Sequence, residues 1–360
     1  MHTRKRAPTP ALLLTRDAFR NGVFARDNHQ CVMCNQPGAD AHHIIERRLF
    51  PDGGYYLDNG ATVCPECHLK CESTIISVEE VRAAAGITRV ITPPSMYPEQ
   101  SYDKWGNSIL PDGTRAWGPL MSDDSVRKIL ARDGMLDRIR PYTKYGRTMH
   151  LPWSPGIHDD DKVIDSLDDL LGHDCVVMEK LDGENTTVYP QYSHARSIDS
   201  ANHPSRDWVK AFIATWQHNI PDYWRVCAEN VYAQHSIPYD DLEHYLYAFM
   251  IWNDKNESLP FDEFVEWCAL LNIQHAPVLY RGIFTREAIQ HLEERPWDKY
   301  EGFVVMRADG FNAHEFPRKV AKFVRKGHVQ TNKHWRTGQQ VIPNQLREPY
   351  RSNPGLLFAS

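Results

Sequence analysis

The sequence has no apolar run near the roughly 18–20 residues that a membrane-spanning helix needs. Its longest, Tyr245 to Trp252, has the length of a buried strand. An integral membrane protein is therefore not expected. A signal peptide is lacking too: after the basic Arg4-Lys5-Arg6, only Ala11 to Leu14 are apolar before Thr15-Arg16-Asp17. These absences point to a cytoplasmic chain. There is no excess of positive charge, the formal net charge being −6, which argues against a uniformly basic coat for nucleic acid. Repeats and low-complexity tracts are absent. Cysteine is sparse outside one stretch: five of the eight lie between Cys31 and Cys71, whereas Cys175, Cys227 and Cys268 read as buried thiols.

What is present fits a soluble globular chain. Its 360 residues, 41% apolar and 24% charged, can form more than one hydrophobic core. Residues 1–90 hold the cysteine cluster and end in an expected helix from Ser77 to Ala85, closed by Gly86. Residues 91–139 are rich in Pro, Gly and aromatics and read as a linker or irregular wrap, with a helix from Ser125 to Ile139. From 140 to 360, a helical spacing over Asp159 to Leu171 gives way to short β runs. These are Cys175 to Met178, Thr186 to Tyr189, Arg225 to Val231, Tyr245 to Ile251, Gly302 to Met306 and Val320 to Val324. Helices over Asp207–His218, Pro260–Leu271 and Thr285–Glu294 separate some of them. The fold class expected is α+β. Local charge departs from the average between Glu315 and Arg351, where nine Lys or Arg face two acids; this is a candidate polyanion surface or a solvated face.

Two C-x-x-C knuckles, Cys31-Val-Met-Cys34 and Cys64-Pro-Glu-Cys67, are separated by 29 residues. In a reducing compartment the pair reads as a tetrathiolate site for structural Zn²⁺, with two disulfides as the disfavoured alternative. His42-His43, Asn59 and His68 lie between and after the knuckles. Over roughly residues 20–75 the order Cys31…His42-His43…Asn59…Cys64…Cys67-His68 resembles the HNH endonuclease family with zinc knuckles. The resemblance implies a ββα-metal domain in which His43 is the general base, His42 and His68 hold a divalent ion, and Asn59 orients the loop of His43. His42 departs from the pattern, many relatives having Asp there, although imidazole is a competent ligand. A zinc-folded module that only binds nucleic acid is the alternative.

A second constellation begins at Glu179-Lys180-Leu-Asp182-Gly183-Glu184-Asn185, between two β runs. A bare K-x-D-G is a weak signal. Its company is ordered, with Arg196, Glu229, Phe249, Glu301 and Lys322 following in strand-like surroundings. With the upstream Lys144 to Pro152 and Asp159 to Lys162, the set over about 140–335 resembles the covalent nucleotidyltransferases, most of all the ATP-dependent RNA ligases. The resemblance implies an ATP-grasp-like adenylylation domain of mixed α+β build. Lys180 would attack the α-phosphate of ATP to give lysyl-AMP, with Mg²⁺ or Mn²⁺, and AMP would pass to a 5′-phosphate that a 3′-hydroxyl then joins. Glu229 would hold a ribose hydroxyl, Phe249 stack on adenine, Glu301 bind metal or ribose, and Asn185 and Arg196 contact phosphates. Lys322 would stabilise charge on the α-phosphate and, with a metal ion, depress the pKa of Lys180. The family's last motif has a second lysine where Val324 stands here, so Lys319, Arg325 or Lys326 would supply that charge.

No C-terminal OB domain is expected in the residues after Lys322. The expected function is therefore an ATP-dependent ligase acting on RNA or DNA ends or nicks in nucleic-acid repair, with an HNH domain that cleaves or binds. The alternatives are an HNH nuclease with a nucleotide-binding regulatory domain, or a minimal DNA ligase.

Overall fold

The protein is described by a computed structural model covering residues 11–97, 100–110, 113–140, 142–159, 161–198, 200–295, 299–327 and 341–358. Arg4 to Arg6, and Lys333 and Arg336 of the basic stretch, lie outside the described residues. Two compact units divide the chain, Met1–Arg140 and Pro141–Ser360.

In the first unit, α1 (Arg16–Arg26) precedes a hairpin of β1 (Asp40–His43) and β2 (Gly60–Val63), followed by α2 (Pro65–Glu72) and α3 (Val78–Ala84). The two strands are antiparallel, with His42 opposite Ala61 and His43 opposite Gly60. Asp27 fastens α1 to the hairpin: its carboxylate receives both Arg26 and the Thr62 amide. Pro65 opens α2, where a missing N–H costs nothing. Ser77 and Glu80 close a reciprocal capping box on α3.

Residues 91–140 carry β3 (Ser108–Ile109), β4 (Arg115–Ala116), α4 (Asp124–Arg132) and β5 (Ile139–Arg140). Their Met96, Trp105, Leu120, Met121, Val126 and Leu130 are buried in the same core as Ile44, Ile45, Val63 and Val81. The helix expected from Ser125 to Ile139 ends early, because Gly134 adopts φ +70° and a short 3₁₀ turn and β5 follow.

The second unit is built, among the described residues, on two sheets. Its strands are β6 (Met149–His150), β7 (Asp174–Lys180), β8 (Glu184–Tyr189), β9 (Tyr192–Ala195), β10 (Arg225–Asn230), β11 (Leu246–Trp252), β12 (Glu257–Ser258), β13 (Gln274–His275), β14 (Val278–Ile283), β15 (Gly302–Arg307), β16 (Phe311–Asn312) and β17 (Val320–Val324). The helices are α5 (Asp207–Trp216), α6 (Phe261–Leu271), α7 (Arg286–Glu293) and α8 (Phe316–Lys319). One sheet runs β16-β12-β11-β10-β8-β9 with β13 beside β11, the other β14-β7-β15-β17-β6.

Alternation decides how they stack. Val176 and Met178 of β7, with Met306 and Val320, enter the core that the two sheets share. Cys175 and Val177, with Phe303, Val305, Ala321 and Phe323, enter a separate core with Ile164, Leu170 and Phe284. Burial on both faces is why β7 reads as an uninterrupted apolar run. Lys180 continues the even-numbered face, so the strand delivers its amine on the side of the other sheet. The helix expected over Asp159–Leu171 is absent: the His150 amide donates to the Lys162 carbonyl and the Ile164 amide to the His150 carbonyl, a parallel bridge at Val163, and Leu167 to His173 form turns. The apolar spacing there serves Ile164 and Leu170, which plug the second core.

Candidate active sites

In the first unit the four knuckle sulfurs come together. Cys31, Cys34, Cys64 and Cys67 all offer Sγ atoms within 4.8 Å of one another, and Cys34 Sγ is 3.6 Å from Cys64 Sγ. A tetrahedron with Zn–S of about 2.3 Å has an edge of about 3.8 Å, so the donors fit a tetrathiolate zinc. All eight cysteines are unbridged.

A second donor group joins His42, His68 and Glu72, again within 4.8 Å. His42 comes from β1 and the other two from successive turns of α2. Glu72 was not singled out from sequence, although its i+4 spacing from His68 was the available signal. Its Oε1 lies 3.4 Å from His42 Nδ1 and 3.2 Å from His68 Nε2. Lys104, buried in the segment beyond the knuckles, adds its ammonium 3.1 Å from the same oxygen and donates to the His43 carbonyl at 2.9 Å. Burial and the Lys104 charge push His42 down to about 3 and His43 down to about 4, so both are neutral donors. Burial opposes ionisation of Glu72, but His42, His68 and Lys104 outweigh it and hold the carboxyl far below the ordinary range. Within the set His42 is neutral and Glu72 ionised, while the bond to Glu72 raises His68 above its ordinary value. Two imidazoles and a carboxylate suit a divalent ion, whose binding would displace the His68 proton.

His43 stands beside this group. Its ring stacks on Phe19 at 4.6 Å and meets the edge of Tyr55, and its buried Nε2 has no protein partner among the described residues. Asn59 is buried and accepts the Ile45 amide at 2.9 Å while donating to the Ile45 carbonyl at 3.0 Å. It thereby pins the chain just beyond His43.

In the second unit the site is assembled across both sheets. β7 ends in Lys180, opposite Gly302 of β15, so Glu301 arrives beside it and Lys180 Nζ lies 2.5 Å from Glu301 Oε1. On β10, Glu229 pairs with Asn185 of β8 and accepts the Gly183 amide. Asp182 ties the K-x-D-G turn to the following loop by accepting the Ile237 amide at 2.8 Å, while the Asp182 amide donates to the Tyr239 hydroxyl at 2.8 Å. Asn185 Oδ1 is buried without a protein donor among the described residues, which leaves an acceptor for a ligand in the cleft. Phe249 is the extra residue of a bulge between β10 and β11, where Cys227 faces Met250 and Ala228 faces Ala248. Its half-buried ring meets the edge of Tyr145 at 5.2 Å.

Lys322 on β17 lies opposite Val304 of β15 and beside His150 of β6. Asp161 approaches it at 4.0 Å. Arg196, at the end of β9, is exposed, and its charge reaches Lys322. Lys180, Glu229, Glu301 and Lys322 thus form one electrostatic cluster, with Asn185 joined through Glu229. Of the replacements considered for the second lysine of the last motif, Lys319 is engaged by Glu315 at 2.9 Å. Other charges of the basic stretch are paired as well, Arg318 with Asp169 and Arg347 with Glu243.

The electrostatics correct one expectation. Burial works against the Lys180 ammonium, but Glu301, Glu229 and Asp182 outweigh it and hold the amine above its ordinary value. Lys322 is the depressed amine, pushed down to about 8 by burial and the charge of Lys180 against the pull of Asp161 and Glu301. Burial, reinforced by the charges of Glu301 and Asp182 and opposed by Lys180, pushes Glu229 up to about 8. Sequence reasoning placed the amines together but could not weigh three carboxylates against one ammonium.

Two family models match the chain, RNA ligase over residues 173–324 and HNH endonuclease over residues 31–74. The HNH match thus falls in the first unit and the RNA ligase match in the second. The chain is similar to a candidate ATP-dependent DNA ligase of Aquifex aeolicus at 19% identity and TM-score 0.37, over 64% of this chain and 55% of that one. Naegleria gruberi RNA ligase with PPi matches at 18% identity and TM-score 0.38, over 77% and 74%. An archaeal ATP-dependent RNA ligase matches at 13% identity and TM-score 0.35, over 49% and 48%. The chain spans about half the length of the first of these. No curated protein matches it. No helix among the described residues is long and apolar enough to cross a membrane.

Proposed function

We propose that the protein is an ATP-dependent polynucleotide ligase that works through a lysyl-AMP at Lys180 and joins a 5′-phosphate to a 3′-hydroxyl, RNA being the favoured strand. The observation that carries this reading is the convergence of Lys180, Glu229, Glu301 and Lys322 from separate elements of two sheets into one electrostatic cluster. The Lys180 ammonium first gives up a proton, for which Glu301 is the nearest acceptor, its oxygen already at 2.5 Å. The free amine then attacks the α-phosphorus of ATP: an N–P bond forms, the bond to pyrophosphate breaks, and the nitrogen releases a second proton to solvent. Lys322 faces the charge that builds on the α-phosphate. Glu229 and Asn185 offer a carboxyl and an amide oxygen for ribose hydroxyls or phosphate-bound donors, and Phe249 a ring face for adenine. A bound Mg²⁺ or Mn²⁺ would supply charge neutralisation at the triphosphate.

The test is incubation with α-labelled ATP and Mg²⁺ or Mn²⁺, after stripping prior adenylate with pyrophosphate, beside Lys180→Ala. Label on the wild-type protein alone supports the reading. A wild type that takes no label, with prior adenylylation excluded by intact mass, overturns it.

The cluster of His42, His68 and Glu72 beside His43 supports a second activity, metal-dependent cleavage of a phosphodiester by the first unit. His43 would take the proton of a water whose oxygen bonds to phosphorus as the P–O bond to the leaving oxygen breaks; His42, His68 and Glu72 would hold an ion, which would supply charge neutralisation at that oxygen. His43→Ala should abolish cleavage and leave zinc content intact; cleavage persisting in that variant sinks the assignment.

A further inference from the structure

The segment leading into β7 carries two groups that the ligase reading has not used. His150, on β6, is buried and pairs in parallel register with Lys322. Asp161 lies eleven residues on, at the end of a turn that folds back over the same strand. Its Oδ2 accepts the His158 amide at 3.1 Å, which fixes the carboxylate plane. Its Oδ1 is 3.3 Å from His150 Nε2 and 4.0 Å from Lys322 Nζ. On the far side of the ring, His150 Nδ1 lies 3.0 Å from the Ser154 hydroxyl, which accepts the Val324 amide at 2.9 Å. The Ser154 hydroxyl also lies 3.3 Å from the Val324 carbonyl, so its one proton is shared between that carbonyl and Nδ1; with Nδ1 accepting, Nε2 carries its hydrogen beside Asp161. Backbone bonds lock the frame, Leu151 N–H donating to the Lys322 carbonyl at 2.8 Å.

We propose that Asp161, anchored by His150 and Ser154, is a positioning residue that holds the Lys322 side chain charged and aimed at the α-phosphate of the nucleotide. This rests on the adenylylation reading given above.

The physical need is plain. Lys322 is half-buried and faces like charge from Lys180 on β7 and from Arg196 at the end of β9. Among the strongest influences on its charge, Glu301, before β15, and Asp161, beside His150, pull the other way. Glu301 spends its Oε1 on Lys180 at 2.5 Å, whereas Asp161 brings a carboxylate oxygen to 4.0 Å from the second amine. Its geometry suits that task better than direct chemistry, because one oxygen is committed to the backbone and the other is shared between an imidazole and an ammonium. Lys322 stands near 8 with Asp161 in place. Without that carboxylate its proton is lost at lower pH, and the α-phosphate then meets a neutral amine.

The experiment is single-turnover adenylylation by the full chain across about pH 6 to 9.5, for wild type, Asp161→Asn and Asp161→Glu. In wild type the rate climbs as Lys180 loses its proton, and above about pH 8 it levels into a flat limb because Lys322 is losing its own. In Asp161→Asn the flat limb should begin at lower pH by about one unit and stand roughly tenfold lower. Asp161→Glu should restore most of it. An unmoved limb in Asp161→Asn, or a uniform fall in rate with unchanged profile, overturns the proposal, since a merely structural role gives that pattern. If Asp161→Asn does not fold, His150→Gln loosens the same carboxylate while leaving it present. The limb must then move in the same direction by a smaller step, and no movement overturns the proposal. A wild type that takes no label withdraws the adenylylation reading and this proposal together, whereas a labelled wild type with an unmoved limb removes this proposal alone.

Discussion

Lys180 and Glu301 meet because β7 and β15 pair with Lys180 opposite Gly302, which sets the Glu301 carboxylate one step beyond the last rung and 2.5 Å from the amine. The nucleophile of the proposed reaction is therefore stored as an ion pair. Its ammonium is stabilised, not weakened, by the resting site. Activation must come from binding, when charged phosphates and their cation enter the cluster.

That storage can be tested without nucleotide or metal. Glu301→Gln removes the nearest carboxylate, so the Lys180 amine should lose its proton at lower pH and react sooner with an amine-directed acylating reagent. Lowering the pKa of Lys180 tenfold in acid strength raises its labelling at any pH below that pKa by about the same factor. Peptide mass spectrometry across pH reads this directly. Equal labelling curves in the two proteins would mean that Glu301 does not control the amine.

Gly302 itself has no room for a side chain. A Cβ there would lie 1.9 Å from the Phe323 carbonyl oxygen, and backbone cannot yield as a flexible side chain can. Ordinary overpacking costs about 1–3 kcal/mol, and this clash falls at or above that upper end. Gly302→Ala should strip hydrogen-exchange protection from β15 and β17 and abolish adenylylation at Lys180. Protection equal to wild type would show that the pairing tolerates a local shift.

The strands around the second site were legible in sequence because both of their faces are buried, which leaves continuous apolar runs such as Cys175 to Met178. Val320 to Val324 matches β17 to the residue. Asp159 to Leu171 misled for a related reason. Ile164 and Leu170 are buried from turns, and burial alone mimics a helical period when the segment is short. The knuckle cysteines were legible because a metal site fixes spacing. Lys104 and Asp161 were not singled out, since each acts on residues distant in sequence, and Glu72 was missed although His68 lies one helical turn before it. Lys104 lies 32 residues from Glu72, and nothing local marks it as buried.

The cysteine geometry carries its own expectation. One zinc per chain should co-purify, and Cys31→Ser or Cys64→Ser should lose it. Binding to a tetrathiolate is worth about 10–16 kcal/mol and is coupled to folding, so chelation should unfold the knuckle region. Hydrogen exchange should rise in β1, β2 and α2 while β7 and β15 keep their protection. Zinc-free protein with β1 and β2 fully protected would refute a structural role for the metal.

Acid should weaken the second unit through two buried histidines outside the reacting cluster. His194 donates from Nδ1 to the Ala195 carbonyl at 2.5 Å, and its Nε2 is buried without a partner among the described residues. His244 Nδ1 accepts the Leu246 amide at 3.0 Å and lies 3.1 Å from the Leu246 carbonyl, so protonation there would trade the first partner for the second. Burial pushes both down to about 4. Because the folded value is lowered, the folded state binds fewer protons than the unfolded chain between the two pKa values. The stabilisation is complete above about pH 6.5 and is lost as pH falls toward 4, roughly 3 kcal/mol for each ring. Thermal unfolding of the second unit, followed by hydrogen exchange in β8, β10 and β11, should move to lower temperature over that window. His150 in the same unit is also pushed down to about 4 by burial and the Lys322 charge, so His244→Asn, which keeps an acceptor for Leu246 but cannot titrate, should remove close to a third of the slope. A slope unchanged in His244→Asn would place the acid sensitivity elsewhere.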